Sequence, residues 1–386
     1  MPRRRIPCQF AANSTARARG TALLAVAAVV LGLTPAVARA QSGWYITPAL
    51  TLSEEFDDNV FSTPSRTSAD FITRFTPSFK AGYQSPPLTV LANGGFDSEL
   101  FAVHSDLSGV ATRKRVGMEF RLLPDHTTTL AMTSTFAQTE TPGELQPQLG
   151  LEPGRRSTTQ WSVAPSLGHR FNLVTSGDLA YSYLQTTSTQ SSSFTHEGRA
   201  GLSSTLSRLD TGTISYTIRH IETEPEAATT SHTVTAAWTR KLGHTTDISL
   251  GAGPRFTGGR IEPDVSASLT HRFKTATISL AYARTETAVI GQTGTSETNS
   301  VSTTFSFTPP IRSTGVSLSA GFSNTAEAGG PDTMAYRASA SVSYRLTKWL
   351  SASLSYRFSV QDRADVRIYH NVVTIGLDAS YPIRAY

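Results

Sequence analysis

Residues 71–83 read Phe-Ile-Thr-Arg-Phe-Thr-Pro-Ser-Phe-Lys-Ala-Gly-Tyr. Taken every second residue, this stretch separates into an apolar set that begins at Phe71 and ends at Tyr83, and a polar set that includes Arg74 and Lys80. A period of two is typical of a β-strand with one apolar and one polar face. The alternation returns along the rest of the chain, and no segment has a convincing helical period. The sequence therefore predicts an all-β protein.

The connections between the predicted strands alternate strictly between long and short. Long loops on one rim and tight turns on the other are typical of outer-membrane barrels, in which the tight turns face the periplasm. We therefore predict a transmembrane antiparallel up-and-down β-barrel of about 18 strands (16 to 18). The long links are Glu54 to Ala69, Glu140 to Ser157, Gln185 to Ser193, Glu286 to Asn299 and Thr325 to Thr333; the short ones are Gln84 to Pro87, Pro124 to His126, Ser207 to Asp210, Lys241 to His244, Pro309 to Ser313 and Thr347 to Trp349.

Four prolines, Pro48, Pro77, Pro165 and Pro254, fall inside predicted strands. A proline has no N–H to donate to the ladder of hydrogen bonds between strands. Each of the four therefore predicts a bulge or a local break.

The first forty residues have the parts of a secretory signal peptide. A basic start is followed by an apolar run at 22–33 and by the small-x-small sequence at 38–40. The run is too short to span a bilayer as a helix. We predict cleavage after Ala40, which leaves residues 41–386 as an outer-membrane β-barrel. The location that we expect is the bacterial cell outer membrane.

The charge and cysteine content exclude several classes of function. The predicted leader holds six of the 34 Lys and Arg residues, so the remainder has 28 basic against 29 acidic side chains. This balance gives no reason to expect a nucleic-acid partner. The single cysteine, Cys8, lies in the leader, so the exported chain has no disulfide and no thiolate site.

The polar face of the predicted strands carries many charges. Charges in mid-strand suit a wet lumen and would be costly in the dry core of a soluble sandwich. The surplus of arginine favours anions; the alternative, left open, is that these charges pair across strands and brace the wall. The candidates to line the lumen are Arg74, Lys80, Arg113, Arg115, Arg121, Arg199, Arg219, Arg255, Arg337, Arg345 and Arg357, with Arg272 on the same face; the acidic residues there are Asp97, Glu99, Glu119, Asp178, Glu197, Asp247 and Asp378.

The sequence contains no recognisable catalytic or metal-binding motif. The nine histidines are scattered singly, and no Ser/His/Asp set has an informative spacing. We therefore predict no catalytic residue, no metal and no cofactor, and a protein that is not an enzyme. The acidic sequence Asp57-Asp58-Asn59 could bind a cation, but we interpret it as a solvated loop.

The segment at 53–61, Ser-Glu-Glu-Phe-Asp-Asp-Asn-Val-Phe, followed by Ser68-Ala69-Asp70-Phe71-Ile72 and Thr76-Pro77, resembles the opening of the β-barrel porin 2 family. The resemblance covers the first two strands. It implies an outer-membrane barrel of a kind often associated with exopolysaccharide production.

The last predicted strand has an apolar face that runs from Val373 to Tyr381, and the chain ends at Tyr386. It resembles the signal by which barrels are recognised for insertion, although residues 382–385 separate the strand from the terminal aromatic. We expect the barrel-assembly machinery and outer-membrane lipid as partners.

Three functions are compatible with these observations. The first is a porin-like channel for small polar solutes, anionic ones or saccharides among them. The second is a conduit or accessory for exopolysaccharide export. The third is a structural barrel that binds ligands through its extracellular loops. Because no plug domain is evident and eighteen strands enclose more space than side chains fill, the sequence favours the channel.

Overall fold

The computed structural model describes residues 43–146, 154–189, 191–224, 228–289, 295–309, 313–327, 331–364 and 366–385. The predicted leader and its cleavage site lie outside them. Within these ranges no helix is long and apolar enough to cross a membrane.

The described chain is nearly all strand, and each strand pairs antiparallel with the next along the sequence. The first strand also pairs with the eighteenth, Ala49 with Ser380 through Asp57 with Val372, so the sheet closes on itself. The strands are β1 Gly43–Asp57, β2 Asp70–Gln84, β3 Leu88–Phe101, β4 Gly109–Leu122, β5 Thr128–Thr139, β6 Thr158–Arg170, β7 Thr175–Ser188, β8 Ser192–Thr205, β9 Asp210–Glu224, β10 Thr229–Leu242, β11 Thr246–Thr257, β12 Arg260–Arg272, β13 Ala276–Thr287, β14 Ser296–Phe307, β15 Thr314–Glu327, β16 Thr333–Arg345, β17 Leu350–Arg363, β18 Val366–Ser380 and β19 Ile383–Ala385.

The predicted up-and-down barrel of about 18 strands is confirmed. The short β19 continues β18 beyond Pro382 and pairs with the start of β1. Since β18 and β19 occupy one position in the sheet, the wall is eighteen strands around. The strands are 12 to 15 residues long, which exceeds the roughly 9–11 residues that a tilted strand needs to cross a bilayer.

The strict alternation of long and short links is wrong in part. The links after β1, β5 and β13 are long, but those after β7, β11 and β17, on the same rim, span only two or three residues. The predicted long link from Gln185 to Ser193 is mostly strand, because hydroxyl side chains fit a β-strand as well as a loop. The β11–β12 link is the glycine pair Gly258-Gly259, with φ of 54° and 80°, as a two-residue hairpin requires.

The four prolines predicted to interrupt strands all lie where the ladder is interrupted. Register pairs are missing opposite Pro77 in β2, Pro165 in β6 and Pro254 in β11. Pro48 lies opposite the break between β18 and β19, where its carbonyl accepts a hydrogen bond from the Tyr381 N–H at 3.2 Å.

One face of the sheet is apolar and exposed, and it includes Leu50, Leu52, Phe75 and Phe79. A continuous apolar face outside a closed barrel is the surface that lipid covers. Most buried residues are instead polar; the main buried apolar group is Val60, Ile72 and Phe101, which lies at the long-loop rim. The polar face therefore lies inside the barrel.

Candidate functional site: a loop that narrows the barrel

The longest link, residues 140–157 between β5 and β6, is anchored to the polar face of the wall. A short 3-10 turn at Pro142–Glu144 places Glu144 beside Arg113 of β4, with 3.1 Å between the Glu144 Oε1 and Arg113 Nη2. Near the other end of the link, Arg155 approaches Glu99 of β3 at 3.5 Å and stacks over the Phe101 ring at 4.9 Å. Two ion pairs and a cation–π contact therefore hold the loop against β3 and β4.

The same loop also contacts the far side of the barrel. The Gln146 side chain donates a hydrogen bond from Nε2 to the carbonyl of Ala288, at 2.7 Å. Ala288 directly follows β13, and eight steps of strand pairing out of eighteen separate β5 from β13. The β5–β6 loop and the link after β13, which leave the wall eight strand pairings apart, therefore meet inside the barrel and narrow its lumen.

A cavity of about 530 Å³ separates the loop from the wall built by β14–β18. Thr141, Gly143 and Glu144 form its loop side. The wall side consists of two neighbouring cross-strand rows of mainly hydroxyl and basic side chains. One row is Ser302, Gly321, Arg337, Ser359 and His370; the other is Thr304, Ser319, Ser339 and Arg357.

Arg337 and Arg357 differ from most arginines of the barrel. Within the described part of the chain, neither has a carboxylate within salt-bridge distance. Gly321 leaves room for Arg337, since a Cβ there would lie only 2.9 Å from the Arg337 Nε. Glu144, the acidic residue of the cavity, is already paired with Arg113. The cavity therefore presents two uncompensated positive charges.

The eleven predicted lumen residues divide into two groups. Six form ion pairs, and so does Arg272: Arg74, Arg113, Arg115, Arg199, Arg219 and Arg255. Five have no such partner among the described residues: Lys80, Arg121, Arg337, Arg345 and Arg357. The alternative in which charges pair across strands therefore describes the first group, and the preference for anions stays a prediction. That these residues line a solute path stays a prediction.

Glu99 is the centre of the first ion-pair network. Its side chain is fully buried and accepts a hydrogen bond from the Arg74 Nε at 2.8 Å, with Arg113 and Arg155 each at 3.5 Å. Arg74 in turn makes a bidentate pair with Glu55 of β1, at 2.6 and 2.7 Å. Removing one member would leave buried charges unpaired, which is strongly destabilising. The network therefore holds β1–β4 together beneath the loop.

A second ion-pair network lies at the ends of β8–β14 that form the long-loop rim. Arg255, almost completely buried, pairs with Glu262 and Asp264 of the next strand. Arg219 of β9 pairs with Glu197 at 2.7 Å and donates a hydrogen bond to the Glu286 carbonyl of β13 at 2.6 Å. The end of β13 therefore leans inward towards β9, which brings it within reach of the β5–β6 loop.

The sequence Asp57-Asp58-Asn59 is not the solvated loop that we predicted. Asp57 and Asn59 are buried, and the three side chains bind β18 across the seam where the barrel closes. We call these three residues the seam clasp. Its contacts are Asp57 Oδ1 to His370 Nε2 at 2.8 Å, Asp58 to the main-chain N–H and side-chain amide of Asn371 at 2.7 and 2.6 Å, and the Asn59 amide to the Tyr369 carbonyl at 2.9 Å.

The described residues contain no group of three His, Cys, Asp or Glu side chains that could hold a metal ion. Sequence reasoning missed Glu144, Gln146 and Arg155, since alternation assigns faces only within strands. The unusual length of the 140–157 link was the one signal that pointed to this loop.

Comparison with known proteins shows the fold. No family model and no curated protein matches the chain. Pseudomonas aeruginosa OccK7 (OpdD) superposes with a TM-score of 0.50 over 89% of this chain and 100% of its own, at 11% identity. Acinetobacter baumannii OccAB4 gives a TM-score of 0.48 at 11% identity, over 89% of this chain and 99% of its own. The fold is therefore a closed antiparallel up-and-down β-barrel of eighteen strands, as in OccK7.

The similarity to OccK7 agrees with the closed wall of eighteen strands and the apolar outer face. At 11% identity the likeness extends to the fold alone. The resemblance to the β-barrel porin 2 family stays a prediction.

Proposed function

We propose that the protein is an outer-membrane channel that passes small polar solutes and prefers anions, through a lumen narrowed by the β5–β6 loop. The observation that carries this proposal is the cavity of about 530 Å³ between the loop and β14–β18, on whose wall lie Arg337 and Arg357, which have no acidic partner among the described residues. A ring or row of fixed cations at a narrow point lowers the energy of an anion and raises that of a cation.

The pattern of ion pairs supports the same preference. Paired arginines are neutralised locally, so their contribution to the potential in the lumen is small. Among the described residues, five predicted basic side chains of the polar face have no acidic partner, whereas Glu119 is the predicted acidic residue of that face without a partner. The uncompensated charge of the polar face is therefore positive.

The route to the membrane belongs to the same proposal. It comprises export by the leader at residues 1–40, cleavage after Ala40 and recognition of the C-terminal strand by the assembly machinery. The break at Pro382 explains the imperfect spacing of that strand, because β18 ends at Ser380 and the chain continues along β1 as β19.

The test is the reversal potential of the refolded barrel in planar bilayers under a KCl gradient. Wild type should select Cl⁻ over K⁺, and the double variant R337Q/R357Q should lose most of that preference. The matched control is R240Q, since Arg240 lies on the other face at the short-turn end, beside Trp238 and Asp210. Equal selectivity in wild type and double variant would refute the role of the cavity.

A second candidate is a conduit for a secreted polysaccharide. The hydroxyl side chains of the cavity, among them the bonded pair Ser319 and Ser339 at 2.7 Å, favour it, because such groups match the hydroxyls of a sugar. Deleting the gene should then abolish surface polysaccharide while uptake of small anions stays unchanged. The channel proposal expects the opposite result.

A further inference from the structure

The structure brings together three side chains that the sequence keeps apart. The hydroxyl of Ser68, just before β2, lies 2.9 Å from Nε2 of His104 in the β3–β4 link. Nδ1 of the same imidazole lies 2.8 Å from Oδ2 of Asp70. This is the order of nucleophile, base and orienting carboxylate in a hydrolytic triad, which is recognised by geometry and not by sequence position.

The protonation of the triad follows from its hydrogen bonds. Asp70 is buried and accepts main-chain N–H bonds from Phe71, Val103 and His104, at 2.8, 2.9 and 2.8 Å. A carboxylate can only accept, so Nδ1 of His104 carries the proton and Nε2 is left to accept from the Ser68 hydroxyl. The edge contact with the Phe61 ring, at 5.3 Å, further fixes the imidazole.

The triad is accessible from the surface, at the long-loop rim. The His104 side chain is 22% exposed, and Ser68 is half-buried. Two exposed apolar residues adjoin it along the chain: Phe71 follows Asp70 and is 53% exposed, and Val103 precedes His104 and is 69% exposed. Exposed apolar residues next to the triad in the chain suit an ester with an apolar acyl chain, and the position at the rim suits a substrate that lies in a membrane or a micelle.

We propose that Ser68, His104 and Asp70 form a second functional site, independent of the channel, that hydrolyses carboxylic esters with an apolar acyl chain. Ser68 Oγ attacks the ester carbonyl while His104 Nε2 takes the hydroxyl proton. His104 then protonates the leaving alcohol as its C–O bond breaks, which leaves an acyl-serine. Water, deprotonated by His104, attacks the acyl-serine and releases the carboxylic acid and free Ser68. Asp70 is a positioning residue, since it orients the imidazole and touches no substrate.

This assignment departs from our interpretation that no histidine is catalytic. The spacing gave no signal, because His104 is 34 residues from Asp70 and is brought to it only by the pairing of β2 with β3.

The test is covalent labelling of the folded barrel in detergent micelles by a fluorophosphonate probe, followed by hydrolysis of short- and long-chain p-nitrophenyl esters. Wild type should be labelled at Ser68 and should prefer the long chain, and S68A should lose both labelling and turnover. D70N should lower kcat by about 10⁴-fold with little change in KM. The matched control S105A, an exposed serine of the same β3–β4 link, should behave as wild type.

Two results would overturn the proposal. One is the absence of labelling in wild type whose barrel is shown to be folded by circular dichroism. The other is labelling that persists in S68A at the wild-type level. Asp70 also holds the β3–β4 link by main-chain hydrogen bonds, so D70N can alter the fold. S68A is therefore the decisive variant, and D70N counts only if its circular dichroism spectrum matches that of wild type.

Discussion

Asn59 is fully buried although it belongs to a loop. Its amide donates to the carbonyls of Thr63 and Tyr369, each at 2.9 Å, and its Oδ1 accepts from the Thr63 N–H at 2.9 Å. A single side chain thus fixes the β1–β2 loop and binds it to β18. This explains why a sequence rich in acidic and amide groups is buried at the seam.

We expect N59A to destabilise the barrel by about 2–3 kcal/mol, because it leaves buried main-chain groups without partners. Urea unfolding in lipid vesicles, followed by tryptophan fluorescence, measures this loss. The exposed loop residue Thr67 provides the control, since T67A should have no effect. If both variants unfold at the same urea concentration, the clasp contributes no stability.

The sequence predicts on which face of the sheet a side chain lies, but it does not predict which side chain it pairs with. Arg74 and Arg337 follow the same alternation, yet Arg74 is paired with Glu55 and Glu99 and Arg337 has no acidic partner in the described chain. The face depends only on the period of two within a strand. The partner depends on the register between strands, which the sequence does not encode locally.

At the scale of elements, the β4–β5 turn is held by one carboxylate. Asp125 accepts hydrogen bonds from the Thr127 hydroxyl and main-chain N–H at 2.7 Å each, and from the Thr128 N–H at 2.7 Å. The Thr127 hydroxyl and these N–H groups hold the pKa of Asp125 well below its usual value of 3.8. The turn is therefore most stable when this group is ionised.

The sign of the pH dependence follows from the lowered pKa. The contribution of Asp125 is complete above pH 3.8 and is lost as the pH falls below that value towards the folded-state pKa. D125N should lower stability at neutral pH, and its difference from wild type should shrink in acid. Urea titrations across this pH range measure the difference, and D106N, at an exposed aspartate of the β3–β4 link, is the control. A difference that grows in acid would contradict this account.

The β5–β6 loop depends on Arg155 for one of its anchors. R155A removes the ion pair with Glu99 and the contact with Phe101. Amide hydrogens in the link at 140–157 should then exchange faster, while exchange in the strands stays unchanged. R199A is the control, because the Arg199 pair with Asp178 is long, at 3.9 Å, and half-exposed. Unchanged exchange in R155A would show that the loop is held elsewhere.

At the scale of the whole molecule, the sequence was sufficient to predict the barrel but not the contacts inside it. Strands, breaks at proline and an even strand number follow from local periodicity and turn chemistry. The narrowing of the lumen depends on contacts such as that of Gln146 in the β5–β6 loop with Ala288 after β13, which are 142 residues apart in the chain. A local sequence pattern cannot predict such contacts. For the same reason, the sequence did not predict that Ser68, Asp70 and His104 lie together.

The most direct test of the central claim, a channel narrowed by one loop, is single-channel recording of the refolded protein in planar bilayers. Wild type should show discrete conductance steps, and deletion of residues 142–155 should make those steps larger. The absence of steps in both proteins, each inserted and folded, would contradict the account.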